Sequence, residues 1–185
     1  MSIDTIKLDG WIETSKGNRF DYATPENYKF NTDEIAHALS QLCRFTGHTK
    51  EFYSVAQHSI MVSNLLPYNL RLLGLLHDAA EAFIGDINAP LKQLLPQVKE
   101  LENRIQAAIY KQYGVAYTAE AAAMVKEADI MMLLTEKRDL MPGGMPVDKW
   151  GDWVKQYKPI RCRIEPWTPE YARDRFIDEC LNYSR

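Results

Sequence analysis

The stretch LLHDAAEAFIGD, residues 75–86, places three polar side chains inside a run of apolar residues. On an α-helix Glu81 falls one turn after both His77 and Asp78, so the three side chains cluster on or beside one face. Burying such a cluster without partners has a large free-energy cost. A bound cation would remove that cost. The fold must therefore bring further ligands to this segment from elsewhere in the chain.

The composition is that of a soluble globular protein. Of 185 residues, 46% are hydrophobic and 25% charged, which favours one domain with a substantial core. A net charge of -3 predicts no nucleic-acid polymer as partner, so a phosphate-bearing ligand is expected to be small. The three cysteines, Cys43, Cys162 and Cys180, are widely spaced and fit reduced thiols. No secretory leader or membrane-length apolar run is recognisable, so a cytoplasmic location is expected.

Helical periodicity dominates the chain. The stretch IKLDGWIETSKGNRFDY predicts a small β-hairpin ahead of the helices. We expect a first helix over NTDEIAHALSQLCRF that ends near Gly47. A second is expected over VAQHSIMVSNLL, after a capping box formed by Ser54 and Gln57. A third should carry the LLHDAAEAFIGD segment and end at Gly85. After a turn-rich connection, GDINAPLKQLLP, helices are expected over VKELENRIQAAIYKQYG and TAEAAAMVKEADIMMLLTEKRDLM.

The last forty residues predict a loop, a strand KPIRCRIEPW and a closing helix that starts at Thr168 and Pro169. The sequence thus predicts a mainly α, single-domain helical bundle with minor β structure near both ends. Residues 1–30 would form the hairpin extension, 31–141 the helical metal-binding core and 142–185 a C-terminal extension.

Two residues lie where an apolar residue is expected. His58 has Val55, Met61, Val62 and Leu65 at helical spacing, so its ring points into an apolar stripe. A histidine satisfied by a neighbour in the core would give the same pattern. Asp129 sits among apolar residues, and an ionised carboxylate there needs compensation, either a cation or an ordinary ion pair with Lys or Arg.

Three helical segments thus each bring a metal-capable group inward: His58, His77 with Asp78, and Asp129. Metal sites in helical proteins are commonly built in this way, between packed helices. Two imidazoles and two carboxylates suit zinc, manganese, cobalt, nickel or iron better than calcium, and magnesium less naturally. Coordination positions left free by four protein ligands would accept water and substrate, as in a catalytic site.

At these residues the chain resembles the HD-domain metal-dependent phosphohydrolases, whose signature is a His, an adjacent His-Asp pair and a distant Asp. Within that class it is similar to bacterial 5'-deoxynucleotidases and phage dATP triphosphohydrolases across roughly residues 40 to 140. The similar stretches are SVAQHSIMVS, LLHDAAEAFIGDINAPLK and VKEADIMMLL.

The resemblance implies a divalent-metal hydrolase that removes phosphate from deoxynucleotides by attack of an activated water. It implies that Glu81 positions or deprotonates this water, that Asp86 supports the site, and that Arg44 and Phe45 belong to the nucleotide pocket. It is also compatible with a homo-oligomer. Phe45 stands where the deoxynucleotidases carry Trp, and the loop between His58 and His77 looks shorter, so the reaction type transfers more safely than the substrate.

Further candidates come from the residues themselves. Lys92 is a candidate for binding phosphate, and His48, in the loop before the first ligand helix, for protonating a leaving group. Plainer interpretations also stay open: Glu81 as a solvent-facing helix residue, Arg44 in a surface salt bridge, Asp86 as a turn former, and no functional role for His48 or Lys92. His37 is expected to face solvent. Two other functions stay open, an HD hydrolase of another small phosphate ester and a non-catalytic nucleotide-binding module.

Overall fold

The computed structural model describes residues 10–183, and this part of the chain is mainly α-helical, as the sequence predicted. The predicted hairpin begins at Ile6, and its residues up to Asp9 lie outside the described range. Besides short 3₁₀ helices, the described secondary structure contains strands β1 (Trp11–Glu13) and β2 (Arg19–Asp21), followed by helices α1 (Thr32–Gln41), α2 (Val55–Asn64), α3 (Arg71–Leu75), α4 (Glu81–Ile84), α5 (Ala89–Leu94), α6 (Pro96–Gln112), α7 (Ala119–Asp139) and α8 (Pro169–Tyr183).

The hairpin is present and is anchored to the rest of the fold through aromatic rings. Strands β1 and β2 pair antiparallel, with Ile12 opposite Phe20. Gly17 makes the reversal with a φ of 74°, a conformation in which glycine is favoured. Phe20 is fully buried and stacks on Phe83 of α4, with ring centroids 4.4 Å apart. The hairpin therefore packs against the helix that begins at Glu81.

The predicted helix starts are confirmed where capping residues mark them. Side-chain oxygens of Asn31, Ser54 and Thr118 accept backbone N–H groups in the first turns of α1, α2 and α7. Thr168 likewise accepts the N–H of Tyr171, at 3.3 Å, at the start of α8. These caps need only residues within one turn of themselves, which is why the sequence locates them well.

The first helix ends earlier than predicted, at Gln41 rather than near Gly47. Cys43 forms a bridge with Ser54, which pulls the chain into an extended conformation. Phe45 and Thr46 then have φ values of 55° and 54°, which an α-helix cannot contain. The long-range bridge thus overrides the helical pattern of the segment.

The single helix expected over the LLHDAAEAFIGD segment is broken into two. Helix α3 ends at Leu75 and α4 begins at Glu81, with tight turns between them. Backbone N–H groups there bond to carbonyls three residues back, as from Ala79 to Leu76 and from Glu81 to Asp78. His77 and Asp78 therefore project from a tightened turn and not from a regular α-helix.

Two further expectations were wrong. The connection after Gly85 contains a short helix, α5, capped by Asn88. Residues 158–167 form no strand, because side chains of α7 satisfy their backbone instead. Thr135 accepts the N–H of Ile160 and Asp139 that of Ile164.

The helices pack around a core to which α1, α2, α3, α4, α6 and α8 contribute buried residues. Helix α2 lies inside the bundle, in contact with α1, α3, α7 and α8. Residues Val55 to Ile60 are all buried, so a polar side chain on this helix reaches other protein groups before water. Among residues 10–183, no helix combines the length and apolar character required to cross a membrane.

Candidate metal centre

His58 is held in one orientation by a carboxylate. Its side chain on α2 is fully buried, and its Nδ1 lies 2.6 Å from Oε1 of Glu136 on α7. Because an ionised carboxylate only accepts hydrogen bonds, Nδ1 carries the proton. The second ring nitrogen, Nε2, is left to bind something else. Its partner Glu136 has no solvent exposure and was not identified from the sequence.

His77 is held by the backbone. Its Nδ1 lies 2.8 Å from the carbonyl oxygen of Gly74, one turn earlier, and must donate to it. Its Nε2 faces Nε2 of His58 at 3.3 Å. Oδ2 of the adjacent Asp78 lies 3.1 Å from Nε2 of His77 and 3.6 Å from Nε2 of His58.

Asp129 completes the cluster from α7. Its Oδ1 lies 3.4 Å from Nε2 of His58, and its Oδ2 accepts from Lys126 at 2.7 Å. The ordinary ion pair considered for Asp129 thus exists, but it occupies one oxygen only. Ligand atoms of His58, His77 and Asp129 lie within 4.8 Å of one another, so these three residues could hold a metal ion. Asp78 adds an oxygen beside both imidazoles.

The chemistry of these atoms fits a cation. With both Nδ1 atoms protonated, the two Nε2 lone pairs and the carboxylate oxygens all face one another and would repel without a positive charge between them. Donors on one ion with bonds of about 2.1 Å lie roughly 3.0 Å apart at right angles and roughly 3.4 Å apart in a tetrahedron. The separations of 3.1, 3.3 and 3.4 Å fall within this range, and the 3.6 Å between Asp78 and His58 lies just above it.

The electrostatics agree with this interpretation. Burial alone raises the pKa values of Asp78 and Asp129, but the neighbouring imidazoles outweigh it and hold both well below their usual range. Burial and the charge of Arg44 lower the pKa of His58. Glu136 and Asp129 raise it by more, so the pKa of His58 is about 9. The site therefore keeps its carboxylates ionised and attracts positive charge, whether a proton or a metal ion.

Glu81 behaves in the opposite way. It is 4% exposed, which contradicts the solvent-facing alternative. Its Oε1 accepts from Lys92 at 3.2 Å, while Oε2 is buried without a hydrogen bond. Burial, followed by the charges of Asp78 and Asp86, raises its pKa well above the usual value. Next to the ionised Asp78 the structure thus provides a carboxyl group whose pKa is shifted in the opposite direction.

Arg44 is buried and not in the surface salt bridge considered from sequence. One guanidinium nitrogen lies 3.1 Å from Oε2 of Glu136 and the other 3.6 Å from Oδ2 of Asp78. Its Nε is buried without a partner. Arg44 thus links the carboxylate behind His58 to a candidate ligand. The helical spacing contained a signal for Glu136, which lies two turns after Asp129 on the same face of α7.

The other candidates differ in burial and in the groups that they contact. The Phe45 ring is half-buried, with its centroid 5.7 Å from the guanidinium carbon of Arg44. Asp86 is half-buried, and burial raises its pKa although Arg44 opposes this. Lys92 is largely buried, and its ammonium nitrogen lies 3.2 Å from Oε1 of Glu81. His48 is exposed, as is His37, whose solvent-facing position was predicted.

Fold and site together define a mainly α protein with a buried His/His/Asp group that could hold a metal ion. No family model matches the chain. Over 130 residues it is 44% identical to the uncharacterized protein YfdR of Escherichia coli, a match that covers 70% of this chain and 72% of the relative. An uncharacterized protein of Rhodobacter capsulatus is 30% identical over 142 residues, with the same coverage. The chain belongs to the family that includes YfdR.

Proposed function

We propose that the protein is a metal-dependent phosphohydrolase of the HD class that removes phosphate from deoxynucleotides. One observation carries the proposal. The ordered set His58, His77, Asp78 and Asp129, which the sequence resemblance singles out, converges in three dimensions, with both Nε2 atoms turned toward each other and toward the two carboxylates. Glu81, the residue expected to handle the proton of the attacking water, is buried nearby with one unbonded oxygen.

His58, His77 and Asp129 would hold the ion, with Asp78 as a fourth ligand. Two imidazoles and two carboxylates form a borderline donor set that favours manganese, cobalt, nickel, iron or zinc over magnesium and calcium. When bound, a divalent ion supplies a lowered pKa for water and neutralisation of charge on a phosphoryl oxygen.

Glu81 is suited to proton transfer. A general base works best when its pKa lies closer to neutrality than that of a free carboxylate. Burial and the charges of Asp78 and Asp86 shift the pKa of Glu81 in that direction, and Lys92 opposes them only in part. Oε2 has no other bond to break before it accepts a proton.

The deoxynucleotide substrate rests on the resemblance around Arg44 and Phe45. Arg44 lies beside Asp78, so an arginine cation borders the cluster where an anionic phosphate would approach it. Phe45 presents a half-buried ring next to that cation, a surface suited to contact with a sugar or base.

The test is phosphate release by chelator-stripped protein reconstituted with manganese or cobalt, on deoxynucleoside mono- and triphosphates with ribonucleotide controls. Release from monophosphates would identify a 5'-deoxynucleotidase, and turnover of dATP a triphosphohydrolase. Absence of release on both panels, with bound metal measured in the same sample, would reject the deoxynucleotide substrate. Saturable nucleotide binding without any product would favour the non-catalytic module instead.

A further inference from the structure

Glu81 belongs to a buried chain of alternating charges. Lys92 of α5 lies 3.2 Å from Oε1 of Glu81 and 2.6 Å from Oε1 of Glu102 on α6. The side chains of Lys92, Glu81 and Glu102 are 14%, 5% and 11% exposed. Lys99, which is half exposed, contacts Oε2 of Glu102 at 3.1 Å and ends the chain at the surface.

The two glutamates that share Lys92 are satisfied to different degrees. Both oxygens of Glu102 have lysine partners, whereas Glu81 has one bonded oxygen and one buried oxygen without a bond. A pair present only for stability would saturate both ends, because an unsatisfied buried acceptor costs free energy. Glu102 matches that expectation. Glu81 is instead held at one oxygen and left available at the other.

The local backbone brings Lys92 back to Glu81. Gly85 adopts a φ of 82° and so lets the chain turn directly after α4. Asn88 then caps α5 by accepting the N–H of Leu91 at 3.0 Å, and Pro90 stiffens its first turn. The turn and the short helix together place Lys92, eleven residues after Glu81, against its carboxylate.

We propose that Lys92, anchored by Glu102, is a positioning residue that fixes the carboxylate of Glu81 by one oxygen so that the other is presented to the reacting water. This inference rests on the proposed function. It replaces the interpretation of Lys92 as a phosphate-binding residue, because two protein carboxylates already hold its ammonium group.

The variant Lys92→Met removes the charge and keeps an unbranched side chain that is one atom shorter. Lys99→Met is its matched control, since Lys99 contacts Glu102 but has no contact with Glu81 among those the structure gives. Crystal structures of both variants provide a readout independent of turnover. We expect Glu81 to leave its place or to split into several conformers in K92M and to stay fixed in K99M.

Steady-state kinetics provide the second readout. We expect kcat of K92M to fall at least about tenfold, with KM within roughly twofold of the wild type, because misplacement of a reacting group lowers turnover more than binding. Lys92→Arg should recover part of kcat, and Glu102→Gln should show a smaller loss. These two variants also carry the test if K92M fails to fold.

Three results would overturn the inference: an unmoved Glu81 in K92M, an unchanged kcat despite a displaced Glu81, or a raised KM with unchanged kcat. The last would return Lys92 to the substrate phosphate. If the wild type releases no phosphate from any panel, the proposed function fails separately, and the position of Glu81 in K92M still decides whether Lys92 positions it.

Discussion

The two sides of the candidate metal centre are fixed by different means. His58 projects from the regular helix α2, and a buried carboxylate that is paired with Arg44 orients its ring. His77 projects from the tightened turn between α3 and α4, and a main-chain carbonyl orients its ring. The α2 side therefore depends on buried charges and the turn side on the path of the backbone.

The largest expected effect is at Asp78, which lies between the two sides. Asp78→Ala removes the oxygen beside both imidazoles and a partner of Arg44. We expect metal binding and phosphate release to be lost. The loss should exceed the roughly 100-fold drop in metal affinity or activity that follows removal of a residue hydrogen-bonded to a metal ligand. Metal content and turnover measured together check this, with Asp174→Asn on the exposed surface of α8 as control. Retained activity in D78A would refute the site.

Glu136→Gln tests the α2 side. The substitution keeps the size of the side chain and removes the charge that faces both Arg44 and His58, so a buried cation loses its partner. We expect the free energy of unfolding to fall by about 3–5 kcal/mol and metal affinity to fall about 10- to 100-fold.

Urea unfolding and metal titration measure the two quantities. Glu127→Gln, at an exposed position of the same helix, should leave both unchanged. Equal stability of E136Q and wild type would mean that the orientation of His58 does not depend on this charge.

Removal of the metal tests both sides at once. A metal at about 100 times its dissociation constant stabilises the folded state by about 2.7 kcal/mol, which corresponds to roughly 5–10 °C in Tm for a domain of this size. We expect a chelator to lower Tm by that amount and manganese or cobalt to restore it. Calorimetry measures the shift, and Asp129→Ala should abolish it. A Tm indifferent to these metals would contradict the assignment.

Gly74→Ala tests the turn side and is expected to have the smallest effect. An added Cβ would lie 2.4 Å from Cδ1 of Leu66, which can rotate away, and 3.1 Å from the backbone Cα of Ser63, which cannot. Helix α3 must then shift against α2 and displace the carbonyl that orients His77. We expect a loss of about 1–3 kcal/mol in stability and weaker metal binding.

Gly143→Ala, where an added Cβ meets nothing within 4 Å, is the control for G74A in the same unfolding and titration experiments. Wild-type metal affinity in G74A would show that the turn side tolerates a shift of its backbone.

Much of the fold could be predicted from the sequence because its signals are local. Asn31, Ser54 and Thr118 cap helices that begin beside them. The break at residues 76–80 could not be predicted, because Leu and Ala favour a helix there. The turn is held from α6, where Gln106 donates to the carbonyl of Leu76 and accepts the N–H of Ala80. The end of α1 was misplaced for a similar reason, since Ser54 draws Cys43 out of the helix.

The residues of the candidate site also divide into those that local sequence pattern predicted and those that it did not. The inward position of His58 follows from the apolar residues one turn away from it, and the structure confirms that it is buried. The places of Arg44 and Lys92 did not follow from local pattern. Each pairs with a glutamate on another helix, Arg44 with Glu136 of α7 and Lys92 with Glu102 of α6.

By itself, then, the sequence determined the mainly α class, the helix starts and the group of residues able to hold a metal, because periodicity and capping act within one or two turns. Only the tertiary structure decided which ring nitrogen of each histidine faces the cluster and which oxygen of Glu81 stays unbonded. The physical reason is that tautomer and side-chain orientation are set by the hydrogen-bond partner. For His58 and Glu81 that partner lies on another helix.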